Sequence, residues 1–142
     1  MAIRQLSFKA VLVDLDGVLR LWSDGAYLIE DDHGLPHGTI EKFAFSTPLL
    51  MPAIRGVCLD IDWRRLVSRE ILRAYPQSDA YSAVRLWSES VGECNQSAIQ
   101  TLSKFTANAN LVLATNATSR LKIDLDALGI IDLFYGIANS SE

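Results

Sequence analysis

Hydrophobic residues in this chain form short continuous runs at three places and recur at helical spacing elsewhere. The short runs predict strands over residues 8–15, 111–115 and 134–138. Continuous apolar runs rich in β-branched residues are typical of parallel strands that are covered on both faces. The pattern therefore predicts a sheet whose strands are buried inside the protein.

Helical spacing dominates the rest of the chain. Apolar residues near one face predict helices over residues 62–75, 78–91 and 95–108, and a further helix begins at Thr118 or Ser119 and closes at Gly129. Asp62 is expected to cap the first of these helices, and Ser78 the second.

The order of elements is strand, several helices, strand, helix, strand, which predicts parallel pairing with right-handed crossovers. The first crossover is too long for one helix, so residues 21–93 are interpreted as an inserted helical cap. Residues 1–20 and 94–142 then form the core. Within the cap, residues 22–36 lack clear periodicity and are expected to be a loop with room for a short helix. Residues 46–55 hold two prolines and are expected to be irregular.

Two carboxylates end the first strand. Asp14 and Asp16 lie two residues apart at its carboxyl end, where open α/β sheets bind their ligands. On a continuing strand the two side chains would point the same way and repel each other. A cation, a bend after Gly17 or a shared proton must relieve that repulsion. A nucleophile, an acid/base and a divalent metal would use this arrangement, and a simple strand-end turn is the structural alternative.

The second strand ends in the same way, in Thr115 and Asn116. If the two strands are neighbours, these residues lie near the carboxylates. A hydroxyl and the backbone N–H groups at a helix start can hold a phosphoryl oxygen. For Thr118, an ordinary helix N-cap is the preferred interpretation.

The two motifs, VLVDLDGVL at 11–19 and LATNAT at 113–118, resemble the first and second motifs of the haloacid dehalogenase superfamily of hydrolases. The resemblance implies a doubly wound, Rossmann-like α/β core with a helical cap. It implies that Asp14 is the nucleophile and that Asp16 is the general acid/base. It also implies that both hold Mg²⁺, while Thr115 and Asn116 orient a phosphoryl group.

The activity implied by the resemblance is Mg²⁺-dependent hydrolysis of a small phosphorylated metabolite through an aspartyl-phosphate. A 2-haloacid dehalogenase and a phosphomutase of the same superfamily are alternatives, as is a fragment that binds a ligand or partner without catalysis. Asp16 favours phosphate chemistry, since dehalogenating members usually lack the second acid.

The family's third motif supplies a lysine and its fourth supplies acidic metal ligands, and neither pattern occurs before Glu142. The chain is therefore expected to be the first part of such an enzyme, incomplete at its C-terminus and inactive or weakly active. Its core would lack at least one strand, and the exposed apolar edge would favour self-association.

Composition excludes other functions. A hydrophobic fraction of 49% with interspersed charges fits a globular protein, and a net charge of −4 argues against a nucleic-acid partner. No apolar run approaches the roughly 18 residues of a membrane helix. The start lacks a signal-peptide pattern, and Cys58 and Cys94 are isolated. These observations predict a cytoplasmic protein without a membrane partner.

Four other patterns are interpreted as structural. Residues 60–62 repeat the D-x-D spacing but precede a helix, so a cap is expected, and residues 124–126 are expected on a solvated helix face. Gly and Pro between His33 and His37 disfavour a shared helix face, so no zinc site is expected there. Aromatic residues of the cap helices, such as Trp87, are expected to pack in the cap interior.

Overall fold

The computed structural model describes residues 9–23 and 25–142, so Phe8 of the predicted first strand lies outside the described residues. The strands in chain order are β1 (Ala10–Val13), β2 (Arg20–Leu21), β3 (Glu93–Cys94), β4 (Asn110–Thr115) and β5 (Gly136–Asn139). The helices are α1 (Ala26–Asp32), α2 (Thr39–Ala44), α3 (Thr47–Ile54), α4 (Asp60–Ala74), α5 (Ala80–Glu89), α6 (Gln96–Phe105) and α7 (Leu121–Ala127). Two short 3₁₀ turns occupy Thr106–Asn108 and Ile131–Leu133.

The core is a parallel sheet with the strand order β1-β4-β5. Val13 of β1 pairs with Leu113 of β4, and Thr115 of β4 pairs with Asn139 of β5. Helices connect the strands, and the sheet with its flanking helices confirms the predicted α/β class with a parallel, Rossmann-like sheet. The carboxyl ends of β1 and β4 lie side by side, so the two sequence motifs end at the same edge of the sheet.

Helices α6 and α7 pack on one face of this sheet. Val13 and Leu113 lie on that face, together with Leu125 of α7. Leu12 faces the opposite side and is 72% exposed. The expectation that the first strand is covered on both faces is therefore wrong for Leu12. The apolar run is typical of a covered strand, but in the described residues the helices cover only one side of it.

A two-stranded antiparallel ribbon joins the core to the remaining helices. Arg20 pairs with Cys94 and Leu21 with Glu93, so the chain leaves and re-enters the core at adjacent points. Gly92 sits beside the ribbon with φ +76°, and a Cβ there would lie 2.8 Å from the Leu21 carbonyl oxygen. Only glycine fits this position, because both the backbone angle and the close approach exclude a side chain.

Helices α1 to α5, which are together called the cap below, surround a second, separate apolar cluster that includes Ile40, Val67 and Ile71, each with no exposed surface. A buried carboxylate also belongs to this region. Glu30 accepts the backbone N–H groups of Gly38 and Ile40, each at 2.7 Å. These N–H groups belong to the start of α2, so Glu30 caps that helix from a neighbouring one. The predicted boundaries of the cap stay a prediction.

Some predicted details of the helices are wrong. Residues 47–54 form α3 despite two prolines: Pro48 lies in the first turn, where no N–H bond is needed, and Pro52 removes a single bond. Helix α4 begins at Asp60, with Leu59 as its N-cap and Asp62 in its first turn.

The predicted cap of the next helix also differs. Asp79, and not Ser78, caps α5, because its side chain accepts the Ser82 N–H at 3.2 Å. Ser78 instead donates to the Tyr75 carbonyl oxygen. Neighbouring polar residues satisfy the same sequence rule, and the backbone path decides which of them meets the helix start.

Among residues 9–23 and 25–142, no helix is long and apolar enough to cross a membrane.

Candidate functional site

A cavity of about 490 Å³ lies between the carboxyl ends of the sheet and the cap helices. Polar contacts join the loop that follows β4 to the helices α4 and α5, a region called the junction below. The Thr118 hydroxyl donates to Asp60 Oδ1 at 2.7 Å, and the Asp60 N–H donates to Ser119 Oγ at 3.0 Å. Arg120 donates to the backbone carbonyl oxygen of Ser88. Helices α4 and α5 therefore contact the loop that follows β4, and the cavity opens between the two parts.

A tight turn follows β1 and contains Asp16. The Leu15 carbonyl oxygen accepts the N–H groups of Leu19 and Arg20, both at 2.9 Å, and Gly17 adopts φ +77°. Asp14 is exposed, and its Oδ1 accepts the Leu15 N–H at 2.8 Å. β1 ends at Val13, so neither carboxylate lies within the strand itself.

Arg20 supplies the cation that the motif needs. Its Nε and Nη2 donate to the two oxygens of Asp16 at 2.7 and 3.0 Å, and Trp22 Nε1 donates to the same carboxylate at 2.8 Å. The Arg20 side chain is only 5% exposed and lies over the Trp22 ring. The Asp16 side chain is 41% exposed, and the bidentate contact with the buried guanidinium holds both partners in a fixed geometry.

The charge network continues into α7. Arg20 Nη1 donates to Asp124 Oδ2 at 3.1 Å, and Arg120 Nε lies 2.7 Å from Asp124 Oδ1, close enough for an ion pair although not aligned as a hydrogen bond. The expected solvated position of Asp124 is therefore wrong, because its side chain is only 13% exposed. Helical spacing identifies the polar face of α7. It does not show that this face lies against Arg20 of the ribbon and lines the cavity.

Asp60 is also more than the helix cap expected at residues 60–62. Besides accepting from Thr118, it forms an ion pair with Arg64. Burial lowers the pKa of Arg64 from its ordinary value, and the nearby Asp60 opposes that change. The Arg64 guanidinium also donates to Ser88 Oγ at 2.9 Å, so it links α4 to α5.

The predicted site residues divide into two groups. Asp16 and Asn116 line the cavity, whereas Asp14 and Thr115 are not part of its lining. Thr115 is buried at the end of β4 beside Asn139. All four lie at the carboxyl ends of β1 and β4, and their assignment to catalysis and binding stays a prediction.

The cap side of the cavity is aromatic. Trp63 and Trp87 meet edge to face with ring centroids 6.2 Å apart, and Trp87 meets Phe45 in the same way at 6.0 Å. All three rings line the cavity. The prediction that Trp87 packs in the cap is incomplete, because helical spacing does not distinguish a ring that packs from a ring that also borders a cavity.

Neither cysteine adds a nucleophile to this site. Burial raises the pKa of the Cys58 thiol above its ordinary value, and the carboxylates of Asp62 and Asp60 raise it further. A thiol with a raised pKa holds little thiolate at neutral pH. Cys94 donates to the Leu128 carbonyl oxygen inside the core.

Carboxylate oxygens of the kind found on Asp14 and Asp16 are ligands that magnesium prefers. Asp14 offers an exposed carboxylate, whereas both oxygens of Asp16 already accept donors from Arg20. Magnesium is commonly held by one or two carboxylates, water and substrate phosphate, so a donor set of this size is compatible with it. Within residues 9–23 and 25–142, no group of three or more His, Cys, Asp or Glu residues converges as a metal site.

No protein-family model matches the chain, and no curated protein matches its sequence. Solved structures do match. The Bacillus subtilis protein YfnB, described as a HAD-hydrolase and solved bound to magnesium, superposes with a TM-score of 0.61 at 16% identity over 92% of this chain and 64% of its own.

A second match is L-2-haloacid dehalogenase from Xanthobacter autotrophicus with chloropropionic acid covalently bound. It superposes with a TM-score of 0.55 at 13% identity over 94% of this chain and 57% of its own. The present chain thus spans less than two thirds of the length of either protein. At such low identity the likeness concerns the fold, and the chain has the fold of the haloacid dehalogenase superfamily.

Proposed function

We propose that this protein hydrolyses a small phosphate monoester with Mg²⁺, through an aspartyl-phosphate on Asp14. One observation carries the proposal: two carboxylates follow β1 beside the end of the parallel strand β4, next to a covered cavity with Arg20 and Arg120 in its wall. Anionic substrates need such cations, and a cap excludes water from a reactive intermediate.

In the first step an Asp14 carboxylate oxygen attacks phosphorus, and the bond between phosphorus and the leaving oxygen breaks. Asp16 donates a proton to that oxygen, so an alcohol departs and the phosphoryl group stays on Asp14. The exposed position of Asp14 supports this role, because a nucleophile must be reachable by the substrate.

In the second step a water molecule attacks the phosphorus of the aspartyl-phosphate. Asp16, now ionised, accepts the proton of that water, and the bond between phosphorus and the Asp14 oxygen breaks. Inorganic phosphate leaves, and Asp14 and Asp16 return to their starting states. Thr115 and Asn116 would orient the phosphoryl oxygens, and Arg120 would attract their charge.

The Arg20–Asp16 pair adds a condition. Both Asp16 oxygens accept donors from Arg20, so Asp16 can transfer a proton only after one contact loosens. A phosphate dianion competes for the same guanidinium, and its arrival would free Asp16. Asp14 would hold Mg²⁺ together with the Asp16 backbone carbonyl, and the ion would offset charge on the phosphoryl group.

Phosphoryl transfer to Asp14 is a sharper test than steady turnover. Among the described residues, the cations near the strand ends are arginines already paired with aspartate, so we expect slow turnover. The protein would be incubated with p-nitrophenyl phosphate and Mg²⁺, quenched in acid, and its peptides analysed by mass spectrometry. We expect phosphorylation of the peptide containing Asp14, and its loss in Asp14→Asn.

Two further variants give this test its controls. Asp126→Asn changes an exposed carboxylate on α7 and should react like the parent chain. Asp16→Asn should accumulate the phosphorylated protein, because p-nitrophenolate leaves as a stable anion without the Asp16 proton, whereas dephosphorylation loses its base and slows on the order of 100- to 10,000-fold. Release of p-nitrophenol by Asp14→Asn at the parent rate would contradict the proposal.

Carbon–halogen hydrolysis is a second candidate, supported by the structural likeness to a dehalogenase with a covalently bound substrate. Asp14 would attack the carbon that bears the halogen, halide would leave, and water would hydrolyse the resulting ester. Arg20 or Arg120 could bind the acid's carboxylate. Halide release from 2-chloropropionate without Mg²⁺, lost in Asp14→Asn, would favour this candidate over the phosphatase.

A further inference from the structure

The cavity has two chemically different ends. Its core end carries the charged groups Asp16, Arg20, Arg120 and Asp124. Its cap end is formed by aromatic and aliphatic side chains: Phe45, Trp63, Trp87, Ile29, Leu50 and Ile54. A molecule that fills the cavity would therefore meet charged groups at one end and apolar surface at the other.

The volume of the cavity also exceeds what a phosphate needs. At about 30 Å³ for each water, 490 Å³ corresponds to on the order of 15 waters. Cavities of this size are typical of sites that bind organic ligands with one or more rings. After a phosphoryl group occupies the charged end, most of the space next to the aromatic wall is still available.

The aromatic wall is only partly covered by the protein itself. Phe45 is 56% exposed although it lies against Trp87, and Leu50 and Ile54 are half-buried at the cavity. Apolar surface that stays open beside a polar site is a common feature of ligand sites. A ring placed there could meet Phe45 and Trp87 edge to face or offset, the arrangements that aromatic pairs prefer.

We propose that the cap end of the cavity binds the leaving group of the substrate, and that this group is an aromatic or comparably bulky apolar alcohol. The inference rests on the proposed function for the anionic end and names the substrate class: phosphate monoesters of aromatic alcohols. Phe45 and Trp87 are the specificity-determining residues.

A polyhydroxylated leaving group fits the same wall poorly. Each buried hydroxyl without a partner costs free energy. On the cap side, the Trp63 Nε1–H, which is buried without an acceptor among the described residues, and the Glu41 carboxylate border the cavity, and they are too few to satisfy several hydroxyls. The hydroxyl of Ser88, which lines this wall, is already engaged: it accepts from Arg64 at 2.9 Å and donates to the Arg85 carbonyl oxygen at 2.9 Å. Sugar and polyol phosphates are therefore expected to bind more weakly than aryl phosphates.

Binding can be measured without turnover. The chain has three tryptophans, Trp22, Trp63 and Trp87, and all of them line the cavity. Their fluorescence should respond directly to a ligand. The probes, each titrated with Mg²⁺ present, are naphthylmethylphosphonate, methylphosphonate and 2-naphthol, none of which can be hydrolysed as a phosphate ester.

We expect naphthylmethylphosphonate to bind about tenfold or more tightly than methylphosphonate, because its ring buries apolar surface. Phe45→Ala should remove most of that difference. Phe45 is more than half exposed, so this variant should fold, as checked by circular dichroism. Trp87→Leu is the second variant. Tyr81→Ala removes an exposed ring from the same helix as Trp87 and should leave all three affinities unchanged.

The probes separate this inference from the proposed function. Equal affinities of the two phosphonates, or equal effects of Phe45→Ala and Tyr81→Ala, would overturn the aromatic subsite and leave the phosphatase proposal standing. If 2-naphthol binds as tightly as naphthylmethylphosphonate and Phe45→Ala weakens both, the subsite is supported and the phosphate end of the proposed function is contradicted.

Discussion

The cap and the core bury their apolar residues in different ways. In the cap, five helices surround a closed cluster in which Ile40, Val67 and Ile71 have no exposed surface. In the core, Leu113 is fully buried on the face that α6 and α7 cover, whereas Leu12 on the other face is 72% exposed. The helices of the described cap surround their apolar cluster, whereas the described core is packed on one side of its sheet.

Their polar groups differ as well. The cap satisfies its buried carboxylate, Glu30, with its own backbone. The polar groups at the strand ends of the core find partners elsewhere: Asp16 on the ribbon residue Arg20, and Thr118 on Asp60 of the cap. Buried polar groups in the cap are therefore paired within the cap. Those at the junction are paired between separate elements, where a ligand can compete for the same partners.

The largest expected effect tests the one-sided packing of the core. Leu113→Ala should lower the free energy of unfolding by about 2–5 kcal/mol, because it leaves a cavity at a fully buried site. Leu12→Ala on the neighbouring strand should change it by less than about 0.5 kcal/mol. Urea unfolding measures both. A large loss in Leu12→Ala would mean that something covers the open face in solution.

The next effect concerns the buried carboxylate of the cap. Glu30→Ala leaves the buried Ile40 N–H and the partly buried Gly38 N–H at the start of α2 without acceptors, which should cost about 2–4 kcal/mol of unfolding free energy. Asp32→Ala, an exposed carboxylate at the end of the same helix, is the matched control and should cost less than about 0.5 kcal/mol. Similar values for both variants would contradict the capping role of Glu30.

A smaller effect is expected at the junction. Thr118→Val removes the hydrogen bond to the Asp60 carboxylate and the weaker one, at 3.4 Å, that the Arg120 N–H donates to the Thr118 hydroxyl, and it should cost about 1–2 kcal/mol. A double-mutant cycle with Asp60→Asn should give a coupling free energy of at least about 0.5 kcal/mol. Thr101→Val on the exposed side of α6 is the control. Strict additivity of the Thr118 and Asp60 substitutions would show that the cap and core are not joined through this contact.

The smallest effect is a pH dependence in the cap. The hydrogen bonds from Ser82 lower the pKa of Asp79 below its ordinary value. The stabilisation is therefore present above the unfolded pKa of about 3.9 and is lost as pH falls through the lower folded value. Asp79→Ala should lower the melting temperature slightly at pH 7, and the difference should shrink below pH 4.

Asn95 provides the control for that pH dependence. It caps α6 through an amide, which accepts the Ala98 N–H at 3.2 Å and does not titrate. Asn95→Ala should lower the melting temperature by the same amount at pH 7 and at pH 3. A pH dependence as large in the Asn95 variant as in the Asp79 variant would mean that acid destabilises the helices by another route.

Local rules predicted the elements that short-range physics controls. The runs around Val13 and Leu113 predicted two strands, and their order with intervening helices predicted parallel pairing, because a helix connection returns the chain in the same direction. Asn95 and Gly129 marked the start of one helix and the end of another in the expected places. The positions of Asp14, Asp16, Thr115 and Asn116 at adjacent strand ends follow from the same rules.

Other features depended on residues far apart in the chain. Asp124 looked like part of a solvated helix face, yet Arg20, more than one hundred positions earlier, reaches it. Trp63 and Trp87 looked like packing residues, yet both border the cavity. No local pattern distinguishes a solvated helix face from one that lies against another element or a cavity. Periodicity indicates which residues share a face, but it does not indicate what that face contacts.

The sequence by itself determined the three strands of the parallel sheet, the helices α4 to α7 and the two motifs at the edge of the sheet, since each depends on neighbours within a few residues or on the order of elements. Only the tertiary structure decided that Arg20 engages both oxygens of Asp16, that Asp60 and Asp124 turn toward the cavity, and that an aromatic wall faces the charged strand ends. The reason is physical: burial, ion pairing and cavity shape arise from the docking of the cap on the core.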